Sequence, residues 1–518
     1  MVNKDLDRFF SCMRRLHLSL TFDDVLLEPR MSSVVPTDVN LETRITRNVP
    51  LHIPLVSADM DRVTEARLAI VLAEQGGMGF IHRNMDPDRQ ADEVDKVKFR
   101  LNAYIRTPIC LRPDDTLGDL YEKMEEYDYR FSSFLITNDD GRLMGLVTKD
   151  QTKFYDKKKH MDKPLKEIMI KDPFTIPRKV SLQKAYEIMR EKGISKLIVT
   201  GRDGKVKGLY CWNDVKDIVE GENPMYNRDE NGQLRVGASI GVHDYARAEK
   251  LLRKNVDVLL VGTAHGHSEN VGETVRELKK SFGRRYDFDV LAGNVATAEG
   301  AKYLAKCGAD GIKIGLGPGS ICTTRIVAGV GVPQITAVYE SFRGIRKTAP
   351  KLPLCADGGL RHSGDMAKAI ASGAHNLMCG SLFAATEESP GGVVMYQGMP
   401  HKDYRGMGSL EAMREHAESQ ERYKQEGPEK LVPEGVPGLV PLRGSVRDVV
   451  FQFVGGIRSS FGYLGARNLK EFHKRAMFQW QTAAGKAESH PHDIIITTLP
   501  PNYRPETSAN EGGAKCQQ

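Results

Sequence analysis

The run Gly311-Ile312-Lys313-Ile314-Gly315-Leu316-Gly317-Pro318-Gly319-Ser320-Ile321-Cys322-Thr323-Thr324-Arg325 governs how the rest of this chain is read. Its first four residues read as a short apolar strand. The glycines that follow permit backbone conformations and close approaches that a β-carbon hinders. Ser320 adds a hydroxyl and a backbone N–H to a loop suited to a phosphate. Cys322 then stands beside the ligand, where a thiolate is a nucleophile. A tight turn with an unreactive cysteine is the plainer alternative, because glycine-rich loops are common.

Outward from this run, seven further segments read as short strands: Pro54–Ser57, Met78–His82, Leu234–Ile240, Asp257–Val261, Val290–Ala292, Pro353–Ala356 and Asn376–Cys379. Helical patterns at Ala246–Leu252, Glu273–Lys280, Ala298–Lys306 and Gly364–Ala371 separate several of them. Strand and helix in alternation imply parallel β/α units. With Gly311–Ile314 the strands predict a (β/α)₈ TIM barrel, an α/β fold whose chemistry lies on loops after the strand C-termini. A doubly wound open sheet is the alternative. Polar residues fall on the expected loops: Ser57–Asp61, His82–Asn84, Thr263–Ser268, Asn294, Gly315–Thr324, Asp357–Gly359 and Gly380–Ser381.

An internal repeat interrupts the barrel pattern. Leu117, Leu120, Tyr121 and Met124 lie at helical spacing, and Leu182, Ala185, Tyr186 and Met189 repeat them. A hairpin pattern follows each: Ser133–Thr137, Asp139-Asp140-Gly141 and Leu143–Thr148, then Lys196–Thr200, Asp203-Gly204 and Val206–Cys211. Asp-Gly is a strong turn signal. The expected organisation is barrel residues 1–107, an inserted two-fold module over 108–222, and barrel residues 223–518. The repeated tyrosines and methionines read as core. Residues 401–443 are rich in charge, Gly and Pro with little periodicity, and read as a mobile flap, about 400–443, over the site. The polar end from about residue 504 reads as disordered.

Composition narrows the function classes. The net charge of +6 suits anionic small molecules, and no basic block with interleaved aromatics points to nucleic acid. The eight cysteines form no CxxC pair, which argues against zinc and disulfide frameworks and for a reducing compartment. No secretory signal or membrane span is evident, so the expected localisation is cytoplasmic.

The motifs resemble those of the inosine-5′-monophosphate (IMP) dehydrogenase and GMP reductase family, bacterial-type members in particular. They are Leu20-Thr21-Phe22-Asp23-Asp24-Val25-Leu26-Leu27, Gly317–Thr324, Ala356-Asp357-Gly358-Gly359, Tyr404–Ser409, Leu431-Val432-Pro433-Glu434-Gly435 and Glu488-Ser489-His490-Pro491-His492-Asp493. The inserted repeat resembles a tandem cystathionine-β-synthase-type (CBS) regulatory module. The resemblance implies NAD-dependent oxidation of IMP to xanthosine monophosphate (XMP). Cys322 attacks C2 of the purine, a hydride leaves for NAD⁺, and water hydrolyses the covalent thioimidate.

By the same resemblance, Ser320, Gly359, Gly380, Ser381 and Tyr404 hold the phosphate. Asp357, with Gly358 beside it, takes the ribose hydroxyls. Gly406, Met407, Gly408 and Glu434 meet the base. Gly262, Thr263, Asn294, Gly315 and Gly317 fall on the cofactor side. Arg422-Tyr423 supplies an arginine implicated in activating water, and Thr324 with Glu434 forms a second route. An arginine base needs surroundings that disfavour its charge, since its intrinsic pKa lies above ~12. K⁺ is implied at the carbonyls of Gly317, Gly319 and Cys322, with Glu488, Ser489 and His490 from a neighbouring subunit. A homotetramer follows, or an octamer through the CBS modules, with adenine or guanine nucleotides on those modules.

The chain departs from the family pattern at three places. Gly262 stands where the family has aspartate, Gly392 where glutamate is usual, and Arg62 where threonine is usual. Loss of a charge-assisted hydrogen bond at 262 costs about 1.5–3 kcal/mol. In the module, Cys211-Trp212-Asn213-Asp214 keeps the ribose-binding aspartate, whereas Thr148-Lys149-Asp150-Gln151 has Gln151 in its place. GMP reductase, and a purine-nucleotide sensor with weakened chemistry, are the rival readings. Leu431–Gly435 and Glu488–Asp493 favour the dehydrogenase.

Overall fold

A computed structural model describes residues 3–100, 103–106, 108–126, 133–155, 159–221, 223–423, 425 and 431–505. The tail expected to be disordered lies, beyond residue 505, outside the described residues, as do Cys516 and part of the expected flap. The chain forms two compact units. One holds the described residues of Met1–Lys98, Met225–Asn227 and Arg235–Gln518; the other holds Phe99–Pro224 and Arg228–Leu234.

In the first unit eight parallel strands close a barrel. They are β1 (Leu55–Ser57), β2 (Met78–Ile81), β3 (Val236–Ile240), β4 (Val258–Gly262), β5 (Asp289–Val295), β6 (Gly311–Ile314), β7 (Leu354–Asp357) and β8 (Asn376–Cys379). All eight runs predicted from the sequence are strands of this barrel, two of them with the same ends and the others shifted by at most three residues. Closure comes from β8 pairing with β1, Cys379 opposite Ser57. The open-sheet alternative is thereby removed.

Around the strands run α1 (Ala66–Glu74), α2 (Pro87–Arg100), α3 (Tyr245–Arg253), α4 (Glu269–Phe282), α5 (Ala298–Cys307), α6 (Gln334–Ile345), α7 (Ser363–Ala371) and α8 (Val446–Leu464). Local chemistry sets their ends. The Thr297 side chain accepts from Gly300 N–H at the start of α5, and left-handed Gly308 ends it. Ser445 caps α8 and left-handed Gly465 ends it. Val56, Met78, Phe80, Val258, Leu260, Leu291 and Met378 pack inside the barrel with Ile45, Val49 and Leu51 from the segment before β1.

The segment read as aperiodic contains regular structure. β10 (Met399–Arg405) pairs antiparallel with β9 (Val393–Tyr396) and β11 (Pro437–Pro441). Two short helices, α9 (Leu410–Glu415) and α10 (Ala417–Arg422), lie between β10 and β11. Each is six residues long, too short for a hydrophobic period to stand out.

The second unit carries two four-stranded sheets. Helix 117–126 with the hairpin 133–148 belongs to one, and helix 182–192 with the hairpin 196–211 to the other. Both turns use a glycine at positive φ, Gly141 (77°) and Gly204 (75°). Leu117 and Leu120 pack in one core, Ala185 and Met189 in the other. No helix of the described residues is long and apolar enough to cross a membrane.

Candidate active site

The loop after β6 turns because of its glycines. Gly315 (φ 145°) and Gly317 (φ 74°) adopt conformations that a β-carbon resists. A β-carbon on Gly315 would also lie 2.3 Å from the Asp357 carbonyl oxygen. Arg325 ties the loop to itself, donating to the Leu316 carbonyl (2.9 Å) and the Val332 carbonyl (2.8 Å). Cys322 N–H donates to the Gly319 carbonyl at 3.0 Å. Its sulfur lies 3.2 Å from the Thr324 hydroxyl.

The flap completes this turn. Thr323 N–H donates to the Glu434 carbonyl and Val436 N–H to the Ile321 carbonyl, both at 2.9 Å. Glu434 N–H in turn donates to the Gly408 carbonyl at 2.9 Å. A β-carbon on Gly408 would sit 2.5 Å from the Tyr423 ring, so glycine lets Tyr423 close over the turn. Three side chains of α10 fasten it to the barrel: Glu421 to Arg83 (2.6 Å), Glu418 to Arg247 (3.0 Å) and Arg422 to Asp59 (3.0 Å).

Two adjoining cavities meet at this point. The first is walled by Ser320, Cys322, Asp357, Gly358, Gly359, Gly380, Ser381, Tyr404 and Met407, among others. Gly358 and Gly359 have φ of 85° and 77°, which exposes backbone rather than side chain to the cavity. The second, of about 380 Å³, is lined by Val242, His265, Ser268, Asn270, Val330, Glu421 and Glu434. Thr263, Ala264, Leu316, Thr324, Arg422 and Tyr423 line both. Cys379 also faces the first cavity, but burial pushes its thiol far up, which keeps it protonated.

Most candidate residues from the sequence converge here. Asn294, Gly315, Gly317 and Gly319 line the first cavity. Gly406 and Gly408 act behind it: Gly406 N–H donates to the Val436 carbonyl at 3.1 Å. Asn294 does more than turn the chain. Its Nδ2 donates to the Gly315 carbonyl (2.9 Å) and to Asp357 Oδ2 (2.8 Å), while its buried Oδ1 has no partner among the described residues. Glu488, Ser489 and His490 end a separate short helix, with Glu488 and Ser489 exposed. Of the departures, Arg62 Nε lies 3.1 Å from Asp403 Oδ2, and Asp403 N–H donates to the Gly392 carbonyl at 2.9 Å. Gly262, expected on the cofactor side, lines neither cavity, and a β-carbon there would lie 3.2 Å from Asp59 Oδ2.

Sequence reasoning missed the charges beneath the cavity. Lys313 sits in the run read as an apolar strand, yet strand period places it inward, between outward Ile312 and Ile314. It is 1% exposed, 3.2 Å from Asp59 Oδ1 and 2.9 Å from Asp357 Oδ2. Asp59 also accepts from Ser239 (2.8 Å) and Arg422 (3.0 Å). Burial alone would push the Asp59 carboxyl up, but Lys313 and Arg422 hold it well below the usual carboxylate range. Burial likewise disfavours the Arg422 cation, yet Asp59 reverses this and raises its pKa. Burial lifts the Tyr423 phenol to about 12, against the opposing pull of Arg422. A readable signal existed: a lysine inside a barrel strand demands a buried counter-charge.

Comparison with known proteins gives a consistent result. Residues 19–492 match the IMP dehydrogenase / GMP reductase domain. The chain is 47% identical to inosine-5′-monophosphate dehydrogenase of Aquifex aeolicus over 494 residues, covering 95% of this chain and 98% of that one. It is 46% identical to the Rhodopirellula baltica protein of the same name, covering 96% and 90%. Among solved structures, a GMP reductase variant from Trypanosoma brucei bound to guanosine 5′-monophosphate superposes with a TM-score of 0.80 at 36% identity, covering 92% of this chain and 98% of that one.

Proposed function

The chain belongs to the IMP dehydrogenase / GMP reductase family, and from that premise we propose how its residues carry out the reaction. It is an oxidoreductase that oxidises IMP with NAD⁺, a step of guanine nucleotide biosynthesis. The observation that carries the residue-level reading is Cys322 at the meeting of two cavities, one glycine-walled and one beside the flap.

In this reading the first cavity takes IMP. Backbone N–H groups at Gly359, Gly380 and Ser381, with the Ser320 and Tyr404 hydroxyls, receive the phosphate. Asp357 receives the ribose hydroxyls, because Lys313 and Asn294 both engage its Oδ2 and leave Oδ1 for a ligand. Met407, Gly406, Gly408 and Glu434 frame the base. The Cys322 thiolate adds to C2, and C2 gives up its hydride. NAD⁺ supplies the hydride acceptor, and the second cavity has the size for the nicotinamide end of a dinucleotide. Thr263 and Asn294 border that end.

Hydrolysis of the thioimidate then needs a proton acceptor. Arg422 remains a cation while Asp59 is its partner. Its work in this arrangement is to hold water and charge. Thr324, next to the sulfur, and Glu434 form the proton route. K⁺ has suitable hard donors in the carbonyls of Gly317, Gly319 and Cys322. Among the described residues the Gly319 carbonyl accepts one bond, from Cys322 N–H, which leaves a lone pair for the ion. Exposed Glu488 and Ser489, with His490, complete such a site on a neighbouring subunit, so the working form is a homotetramer, or an octamer through the inserted unit.

The inserted unit acts as a CBS-type regulatory pair for adenine or guanine nucleotides. One cavity within it brings together Lys149, Asp150, Cys211, Trp212, Asn213 and Asp214. The reaction reading is tested by incubating the protein with IMP plus NAD⁺, or with GMP plus NADPH, and following reduced nicotinamide. Formation of NADH in the first mixture, lost in Cys322→Ala, supports it. Consumption of NADPH in the second mixture alone assigns GMP reductase instead.

A further inference from the structure

Asp59 follows β1, and its side chain is 1% exposed in the mouth of the barrel. Its Oδ2 accepts from Ser239 and from Arg422, and its Oδ1 faces Lys313. Across the mouth, Gly262 ends β4. A β-carbon there would lie 3.2 Å from Asp59 Oδ2 and 3.5 Å from Ser239 Oγ. The Gly262 backbone does not have the positive φ that calls for glycine. Its value is therefore space: the place into which residue 262 would project a side chain is filled by the Asp59 carboxylate and its partners.

We propose that Asp59 is the positioning residue for Arg422, and that Gly262 is its obligatory complement. The barrel mouth has one place for the acid that anchors the flap arginine. That place is reached from β1 or from β4, but not from both, because two carboxylates in contact cannot both stay ionised. The proposal rests on the reading of Arg422 as the flap residue that serves thioimidate hydrolysis. It accounts for glycine at 262, where a side chain would meet the Asp59 carboxylate.

The experiment uses the full chain in four forms: unmodified, Asp59→Asn, Gly262→Asp, and the combined Asp59→Ala with Gly262→Asp. Two readouts are taken: amide hydrogen exchange of residues 417–423, and NADH formation from IMP and NAD⁺ resolved into burst and steady state. Asp59→Asn and Gly262→Asp are each expected to speed exchange of that segment, and to slow steady-state turnover about tenfold while the burst persists. The combined variant is expected to return both readouts to within about threefold of the unmodified protein. Losses that multiply in the combined variant overturn the proposal, as does an Asp59→Asn protein with unchanged exchange. Should Asp59→Asn fail to fold, the comparison of Gly262→Asp with the combined variant decides by the same rescue. Failure of the reaction reading looks different: the unmodified protein then gives no burst, while exchange still follows the identity of residue 59.

Discussion

The Cys322 sulfur and the Thr324 hydroxyl lie 3.2 Å apart, and Thr324 is buried at the junction of the two cavities. In the proposed mechanism a hydroxyl there serves the second half of the reaction, when water replaces the sulfur at C2. Thr324→Val keeps the shape and removes the hydroxyl. It is expected to leave the NADH burst intact and slow steady-state turnover about ten- to a hundredfold. Stopped-flow absorbance, with intact-mass detection of the accumulated adduct, checks this.

Cys322→Ala removes the proposed nucleophile but none of the groups proposed to hold the phosphate. Turnover is expected to fall by more than about a thousandfold. IMP affinity, measured by calorimetry, is expected to change by less than about tenfold. Loss of IMP binding together with activity would mean that the cysteine shapes the pocket rather than reacting in it.

Gly408→Ala puts a β-carbon 2.5 Å from the Tyr423 ring. The ring must move, and the Gly408–Glu434 backbone bond moves with it. Activity is expected to drop at least about tenfold, with little change in thermal midpoint, because the barrel core is untouched. A large fall in midpoint would show that the flap contributes to global stability.

Arg405 is 1% exposed and donates through Nε (3.0 Å) and Nη2 (2.6 Å) to Asp61 Oδ2. Burial would push the Asp61 carboxyl up, but Arg405 holds it below the usual range. A depressed carboxylate stabilises the folded state fully above its unfolded pKa, near ~3.9, and loses that contribution as pH falls through the lower folded value. Asp61→Asn is expected to cost about 3 kcal/mol at pH near 7. The gap between variant and unmodified protein is expected to narrow below pH ~4. Urea midpoints across that range provide the check, and a constant gap would contradict the assigned ion pair.

In the inserted unit, Asp214 and Asp150 line one cavity. Asp214→Ala is expected to weaken binding of ATP or GTP about tenfold or more, whereas Asp150→Ala leaves it within about threefold. Calorimetry with both nucleotides decides. Absence of heat with the unmodified protein would assign the unit a structural role only.

Local rules were enough to read the barrel. Each strand is a short apolar run between glycine or polar turns, and each lies within three residues of its predicted place. The helices between them carry an apolar face and side-chain caps such as Thr297, both local properties. Ser320 and Cys322 were legible from the glycine-rich loop, Asp357 and Tyr404 from the family resemblance of their motifs, and all four line one cavity. The flap was less so. Helix α10 is held by Arg83, Arg247 and Asp59, three barrel residues distant in sequence, and no local pattern announces such partners.

What the sequence determined alone, then, was the succession of strands and helices and the cysteine loop, since backbone propensity, turn chemistry and burial period act over a few residues. Only tertiary structure decided which charges meet. Lys313 comes from β6, Asp357 from β7, Asp59 from the end of β1 and Arg422 from the flap. They interact because closing the barrel brings the ends of distant strands into one low-dielectric mouth, where each buried charge must find its opposite.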